Sequence, residues 1–333
     1  MSFIEEIKNR AKQQIKTIIL PEATDIRILK AAQIVNKEKY AKVMLIGNKE
    51  EIERLIKENN LELGDTQIID PAKSEETSEY AKELYELRKA KGMTEEQAQK
   101  LILEPIYYGM MMVKLNHADG LVSGAAHSTA DTLRPALQIL KTAPGTKLVS
   151  AFFVMVVPNC EYGANGTFIF ADSGLNEEPD SEKLSEIAIS SSKSFKQLVG
   201  EEPKVAMLSY STYGSAHSAS TEKVVEATKL AKEKAPELLI DGELQLDAAI
   251  IPEVAEFKAK GSPLKGEANV LVFPDLGAGN IGYKLTQRLA KAEAYGPLCQ
   301  GIARPVNDLS RGCSSEDVAG VVAITAVQAQ SQG

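Results

Sequence analysis

The segment with the most evident chemistry lies near the end of the chain, where residues 307–317 read NDLSRGCSSED. The length and capping residues of the Ala- and Val-rich stretch that follows predict a buried helix from about Ser315 to Gln330. The start of a helix offers unpaired N–H groups and a positive dipole end, Ser310 adds a hydroxyl group, and Arg311 adds a planar donor that suits phosphate. The segment therefore predicts an anion site, although Asp317 alone is more simply explained as an acidic residue in a first helical turn.

Two further arginines lie in predicted helices. Arg134 falls within the first two turns of a helix for which Ser128 is a plausible N-cap, so it lies near another helix start that attracts anions. An exposed ion pair with Asp131 is the alternative explanation for Arg134. Arg88 lies on a strongly charged helix, where the pattern favours a solvated side chain.

The glycine spacing of GAGNIG at residues 277–282 matches a dinucleotide-binding fingerprint. Only about 50 residues follow it, and no acidic residue closes a second strand about 20 residues later, so we reject a Rossmann site. A tight solvent-facing turn, or backbone amides that approach an anion together with Lys284, both remain open. Cys160 follows a buried strand with no His or Lys near it in the sequence, which favours an inert cysteine over a nucleophile.

The composition disfavours several classes of partner. A formal net charge of -8 opposes binding to nucleic acid or anionic lipid. No apolar run approaches the ~20 residues of a membrane-spanning helix, and the acidic first residues do not resemble a signal peptide. Three scattered cysteines suit a reducing compartment, and the three histidines form no metal-ligand motif. We therefore expect a cytoplasmic protein without a metal site.

Strand-like and helix-like segments alternate along the chain. Thr94 and Gln97 have the spacing of a capping box at one predicted helix start. The predicted strands cover residues 42–47, 67–70, 120–123, 147–157, 205–209, 268–273 and 296–302. This order indicates an α/β fold with mainly parallel sheets, in which ligands bind beyond the carboxyl ends of the strands. A length of 333 residues favours two domains.

Four segments together resemble the phosphate acetyltransferase (phosphotransacetylase) family. They are SGAAHSTADTLRPALQ, FIFADSGLN, FPDLGAGNIGYKLTQRLA and PVNDLSRGCSSEDV, and they occur in the family's order. The resemblance implies an enzyme that reversibly transfers an acetyl group between acetyl-CoA and phosphate, giving acetyl phosphate and coenzyme A. It also implies a homodimer that needs no cofactor, because coenzyme A is a substrate.

The same resemblance implies an architecture like that of isocitrate and isopropylmalate dehydrogenases. Two α/β/α domains with mainly parallel sheets would enclose a cleft. The first domain would contain residues 1–150 and 293–333, and the second would contain residues 151–292. The chain would thus return to its first domain and bring the loop with Ser310 beside Arg134.

The matching segments imply roles for five residues. Asp317 matches the catalytic base that takes the proton of the coenzyme A thiol. Ser310 matches the serine near the reacting carbonyl group. Arg311 and Arg134 match the arginines that hold phosphate or acetyl phosphate, and Arg88 matches a residue linked to coenzyme A binding.

Four more residues match the family with weaker implications. Ser128, Asn280 and Lys284 are expected to line the phosphate site, and Cys160 matches a cysteine near the site that is not a required nucleophile. The expected mechanism is direct transfer in a ternary complex. The alternatives are an acyltransferase that prefers butyryl-CoA, a ping-pong transfer through Cys160, and a non-catalytic module that senses acetyl-CoA.

Overall fold

The computed structural model describes residues 2–331, which form two compact units. The first unit contains the chain up to Pro144 and again from Ile302, and the second contains Gly145–Gly301. The sequence analysis placed the return to the first unit at residue 293. The structure differs there because the strand Glu293–Gln300 pairs with a strand of the second unit, so the chain changes unit only after Gly301.

Strands and helices alternate through both units and are numbered here in chain order. The strands are β1 (Thr17–Leu20), β2 (Lys42–Ile46), β3 (Gln67–Ile69), β4 (Gly120–Val122), β5 (Ser150–Val156), β6 (Thr167–Ala171), β7 (Lys204–Leu208), β8 (Leu239–Leu244), β9 (Val270–Val272), β10 (Glu293–Gln300) and β11 (Val306–Asn307). The helices are α1 (Phe3–Ala11), α2 (Ile26–Glu38), α3 (Lys49–Glu58), α4 (Thr77–Arg88), α5 (Glu95–Leu101), α6 (Pro105–Lys114), α7 (Thr129–Ile139), α8 (Ser181–Val199), α9 (Ala219–Lys234), α10 (Leu246–Ile250), α11 (Pro252–Lys258), α12 (Leu276–Leu289) and α13 (Ser315–Gln330).

The sheet of the first unit has the strand order β11-β4-β1-β2-β3, and its strand pairs are parallel. The chain moves outward from β1 to β3 and then returns to the other side of β1 as β4. Because parallel crossovers are right-handed, this reversal places the connecting helices on both faces. The loops after β1 and β4 therefore diverge, and ligands bind at such a switch point in open α/β sheets.

Helix α13 is the central buried element of the first unit. Every residue from Val318 to Ala329 is buried, and the helix contacts α1, α2, β1 and β4. The Tyr40 hydroxyl donates to the carbonyl of Ala319 at 2.9 Å, and the amide of Asn307 donates to the Thr325 hydroxyl at 2.8 Å. These bonds satisfy polar groups that would otherwise be buried unpaired, so the start of α13 is held firmly against the sheet.

The sheet of the second unit has the strand order β10-β5-β6-β9-β7-β8. Strands β6, β9, β7 and β8 are parallel, whereas β5 runs antiparallel to both β10 and β6. Phe153 of β5 stacks on Tyr283 of α12 with ring centroids 3.9 Å apart. Aromatic and aliphatic side chains around this pair form the core that anchors α12.

The predicted fold class is confirmed, as are several local signals. Helix α4 and a short 3-10 turn end at Gly92, which adopts a φ of 87°. Thr94 and Gln97 form the expected capping box, Ser128 is the N-cap of α7, and the last helix covers Ser315–Gln330. Within residues 2–331, no helix is both long enough and apolar enough to cross a membrane.

Candidate functional site

Three loops of the first unit meet at the carboxyl ends of β11, β4 and β1. They contain residues 21–25 after β1, residues 123–128 after β4 and residues 308–314 after β11. Because these three strands are adjacent and parallel, their following loops lie along one edge of the sheet. Two predicted site residues, Ser310 and Arg311, lie in the third loop, and Ser128 lies in the second.

A buried carboxylate holds the loop after β4. Glu22 is 4% exposed, and its two oxygens accept the backbone N–H groups of four consecutive residues, 124–127, at 2.8–2.9 Å. The Nδ1 atom of His127 lies 2.7 Å from the same carboxylate. A row of backbone amides that is well suited to an anion is thus occupied by a side chain of the protein itself. The loop is fixed before any substrate arrives.

Arg27 joins the same loop to the segment with the predicted catalytic residues. Its Nη1 atom donates to the carbonyl of Arg311 at 2.7 Å and to the carbonyl of Cys313 at 3.2 Å. Its Nη2 atom donates to the carbonyl of Ala125 at 2.8 Å. Its remaining donors contact the Asp25 carboxylate. One guanidinium therefore bridges all three loops.

Asp308 makes a third connection between loops. Thr129 donates to Asp308 Oδ2 at 2.6 Å, which ties the first residue of α7 to the end of β11. Gly124 is required beside this carboxylate, because a Cβ atom there would lie 2.2 Å from Asp308 Oδ1. Burial raises the pKa of Asp308 to about 6, since a desolvated carboxylate is less stable than the neutral acid.

Ser310 and Arg311 are exposed, whereas Asp317 is half-buried in the first turn of α13. The amide of Asp317 donates to Ser314 Oγ at 3.1 Å, and the amide of Ser314 donates to Asp317 Oδ2 at 2.8 Å. This capping box fixes the carboxylate beside the exposed loop. Ser310, Arg311 and Asp317 thus belong to one short segment, whose last part is fixed by the helix cap.

Arg134 is connected to the loop after β4 through the first turns of α7. The Ser128 hydroxyl donates to Asp131 Oδ2 at 2.6 Å, and this hydrogen bond holds the pKa of the Asp131 carboxyl below its ordinary value. Asp131 Oδ1 lies 3.8 Å from Arg134 Nη2, with both side chains largely exposed. The ion pair that the sequence left as an alternative is present. Such exposed pairs contribute only about 0–1 kcal/mol, so an anion could replace Asp131 as the partner of Arg134.

Arg88 is not the solvated charge that the sequence pattern favoured. The residue is half-buried at the end of α4, and its Nε atom is buried with no hydrogen-bond partner. The correction has a physical reason, because α4 contacts both α6 and α7. Unpaired buried donors are uncommon in proteins, so this Nε atom is an unusual feature of α4.

Tyr107 on α6 is influenced by the charges of both Arg88 and Arg134. Its hydroxyl donates to Gln138 Oε1 at 3.2 Å. Burial raises the pKa of the Tyr107 phenol, and the positive charges of Arg134 and Arg88 both oppose that rise. Two arginines that are 46 positions apart in the sequence thus both act on the Tyr107 phenol.

The GAGNIG segment of the second unit is helical, so the solvent-facing turn, one of the two alternatives left open by the sequence, is wrong. Residues 277–282 lie in the first turns of α12, whose N-cap Asp275 accepts from the amide of Ala278 at 2.8 Å. A Cβ atom on Gly279 would lie 2.4 Å from the carbonyl of Asp172. The glycine thus permits α12 to approach the loop after β6. Asn280 is half-buried on this helix, and Lys284 is exposed.

Cys160 is half-buried in the second unit, where it packs against the edge of the aromatic core. Cys313 lies in the loop after β11, and burial raises the pKa of its thiol to about 11. A thiol with such a pKa is a poor nucleophile at neutral pH. Among residues 2–331, no cluster of three His, Cys, Asp or Glu side chains is arranged to hold a metal ion.

The sequence analysis missed Glu22, Arg27, Asp308 and Tyr107. Glu22 and Arg27 lie in an unremarkable segment, and their partners are about 100 to 286 positions away. Asp308 was part of the segment that was singled out, and only its location directly after a strand marked it. No local pattern could have identified Tyr107, because its significance comes from the packing of three helices.

The topology and the loop network define an α/β protein with three interlinked loops at the switch point of its first sheet. Comparison with known proteins gives the family. Residues 2–326 match the family model described as phosphate acetyl/butaryl transferase, and the chain belongs to this family. A phosphate acetyltransferase of Acetivibrio thermocellus is 68% identical over 330 residues, which cover 99% of each chain.

Solved structures agree with this membership. A phosphotransacetylase from Streptococcus pyogenes has a TM-score of 0.92 and 41% identity, covering 99% of this chain and all of that one. A putative 4-hydroxythreonine-4-phosphate dehydrogenase from Salmonella typhimurium has a TM-score of 0.51 and 12% identity, covering 94% of this chain and 99% of that one. The second likeness concerns the fold alone and is consistent with the predicted dehydrogenase-like architecture.

Proposed function

We propose that this protein is a phosphate acetyltransferase that reversibly converts acetyl-CoA and phosphate into acetyl phosphate and coenzyme A. The observation that carries the proposal is the 68% identity to a phosphate acetyltransferase along 99% of both chains. The loop network of the first unit supports the proposal, because it holds the backbone of the segment that contains Ser310, Arg311 and Asp317.

In the direction that forms acetyl-CoA, the sulfur of coenzyme A attacks the carbonyl carbon of acetyl phosphate, and the bond to the phosphate oxygen breaks. The thiolate is the reactive form, so a base must accept the thiol proton. We assign this role to Asp317, whose Oδ1 atom is not used in the capping box. A free carboxylate is a weaker base than a thiolate by roughly 6 kcal/mol. The positive charge of Arg311 reduces this difference by favouring the thiolate.

The site must also stabilise the negative charge that develops on the reacting oxygens. The tetrahedral intermediate carries an oxyanion, to which the Ser310 hydroxyl and nearby amides can donate, and one such donor is worth about 3–4 kcal/mol. Arg311 and Arg134 stabilise the leaving phosphate through charge-assisted hydrogen bonds. Ser128 lines the phosphate site of the first unit in this proposal, and Arg88 binds coenzyme A.

The proposed mechanism is direct transfer in a ternary complex. It requires no cofactor and no metal, because coenzyme A is itself a substrate and the arginines neutralise the phosphate charge. In this proposal Cys160 forms no acyl intermediate. We further propose that the protein acts in the cytoplasm as a homodimer, without nucleic acid or membrane partners.

The proposal is tested by incubating the purified protein with acetyl-CoA and measuring free thiol with and without phosphate. We expect thiol release that depends on phosphate and an equal amount of acetyl phosphate. Acetyl-CoA binding without thiol release would instead support a sensing module. Exchange of labelled phosphate into acetyl phosphate without coenzyme A would support a ping-pong transfer, and its loss in Cys160→Ser would assign that transfer to Cys160.

A second candidate is an acyltransferase that prefers butyryl-CoA, because the description of the matching family includes both acyl groups. Both reactions use the same phosphate and base, and they differ only in the room around the acyl chain. Comparing kcat/KM for acetyl-CoA and butyryl-CoA separates them. A higher value for acetyl-CoA is expected, and a higher value for butyryl-CoA would favour the second candidate.

A further inference from the structure

We infer that Arg27 is a positioning residue for the catalytic turn, and that it acts by fixing the backbone of Arg311 and Cys313. The inference rests on the proposed function, since it concerns the residues that carry out that reaction. Arg27 lies in the first turn of α2 after β1. Its partners come from the loops after β4 and β11, so it contacts all three loops of the switch point.

The guanidinium has no free donor. Its Nε atom donates to Asp25 Oδ1 at 3.0 Å, and Nη2 donates to Asp25 Oδ2 at 2.6 Å and to the carbonyl of Ala125 at 2.8 Å. Nη1 donates to the carbonyls of Arg311 and Cys313. The five N–H groups of an arginine are therefore matched by five acceptors. Arg27 cannot also bind an anionic substrate through these hydrogens, which separates its role from those of Arg311 and Arg134.

The carbonyls that accept hydrogen bonds from Arg27 show which part of the backbone it holds. The carbonyls of Arg311 and Cys313 lie two residues apart in the turn that precedes α13, and a single nitrogen binds both. This contact sets the direction of the turn relative to α13, and hence of the exposed Arg311 side chain. The Arg27 side chain is 29% exposed and pairs with Asp25 at 2.6 Å. The orientation of the guanidinium is thus fixed by Asp25 on one side and by the two carbonyls on the other.

The turn has few other supports. Within it, the amide of Cys313 donates to the carbonyl of Ser310 at 2.9 Å, and the amide of Gly312 reaches Ser310 Oγ only at 3.4 Å. A Cβ atom on Gly312 would meet nothing within 4 Å, so packing does not restrain that residue. The hydrogen bonds from Arg27 therefore supply much of the order of this turn.

Lysine cannot reproduce the contact. The ammonium group of lysine has three donors on one nitrogen, whereas the acceptors that bind Arg27 are arranged around the three nitrogens of a planar guanidinium. Arg27→Lys keeps the positive charge beside Asp25 and loses the simultaneous contacts to three loops. Small displacements of catalytic groups reduce turnover by up to about 100-fold, so the effect should appear in kcat.

The test compares Arg27→Lys and Arg27→Ala with wild type in the phosphate-dependent thiol-release assay. Arg54→Lys is the control, because Arg54 forms only exposed ion pairs on α3. We expect kcat to fall about 10- to 100-fold in Arg27→Lys, KM for acetyl-CoA to change by less than about threefold, and Tm to stay within a few degrees. Arg54→Lys should match wild type.

A double-mutant cycle with Arg311→Ala identifies the route of the effect. If Arg27 acts through the turn that contains Arg311, the fold-loss in kcat of the double variant is smaller than the product of the fold-losses of the two single variants. Losses that multiply fully would overturn the inference, as would an Arg27→Lys enzyme with kcat within twofold of wild type. A fall in kcat that merely follows the fraction of unfolded protein would overturn it too. An inactive wild type would instead reject the proposed function.

Discussion

Ser314 and Asp317 bind each other's backbone at the start of α13. Each amide donates to the other side chain, at 2.8 Å to Asp317 Oδ2 and at 3.1 Å to Ser314 Oγ. One carboxylate oxygen therefore caps the helix, and Oδ1 takes no part in the cap. This arrangement makes it possible to test the catalytic use of Asp317 without losing the cap.

Asp317→Asn should lower kcat about 10²- to 10⁴-fold, because an amide oxygen still accepts the Ser314 amide but cannot take a thiol proton. Affinity for coenzyme A should change little, and Tm should stay close to that of wild type. Steady-state kinetics and thermal unfolding measure both quantities. Glu316→Gln is the control, as its exposed carboxylate lies in the same helical turn. Unchanged turnover in Asp317→Asn would remove the base assignment.

Arg134→Ala should weaken phosphate binding by roughly 1.5–3 kcal/mol, the value of a hydrogen bond to a charged group. The expected result is a phosphate KM that rises about 10- to 150-fold. Stability should hardly change, because the pair with Asp131 is exposed and spans 3.8 Å. Arg54→Ala, which removes another exposed ion-paired arginine, is the matched control. A wild-type phosphate KM in Arg134→Ala would contradict the assignment.

Arg88→Ala should weaken coenzyme A binding more than binding of dephospho-coenzyme A. The buried Nε atom has no hydrogen-bond partner, a guanidinium suits a phosphate group, and only coenzyme A carries the additional phosphate. The ratio of the two KM values measures this difference. Lys89→Ala is the control, because Lys89 is the next residue and is exposed beside Glu86. Equal losses for both ligands would show that Arg88 does not bind the additional phosphate.

Sequence reasoning succeeded where the signal was local. The capping box of Thr94 and Gln97, the N-cap Ser128 and the buried helix after Ser314 each depend on residues within a few positions. The backbone needs these partners wherever a helix starts, so the residue types are visible in the sequence. The sequence therefore predicts the helix starts from which Arg134 and Asp317 project.

The hydrogen bonds that hold the site loops could not be predicted from local residue types. Glu22 binds backbone amides about 100 positions away, and Arg27 binds a carbonyl 284 positions away. Their acceptors and donors are backbone atoms, which leave no trace in residue type. The error at Arg88 has a related cause, since a helix with many charges can still bury one of them against two other helices.

Asp308→Asn tests whether the buried carboxylate beside Thr129 opposes folding at neutral pH. Burial raises the pKa of Asp308 from 3.8 to about 6, so the unfolded chain loses this proton at a lower pH than the folded protein does. Stability from this group is therefore present below about pH 4, falls between about pH 4 and 6, and is lost above that range. The free energy of unfolding contributed by Asp308 therefore falls by about 3 kcal/mol across this range. Asparagine resembles the neutral acid, so the Tm of Asp308→Asn relative to wild type should rise from pH 4 to pH 7. Asp65→Asn, at an exposed carboxylate, should show no such trend. A Tm difference between Asp308→Asn and wild type that stays constant from pH 4 to pH 7 would mean that Asp308 is ionised throughout, and would contradict the prediction.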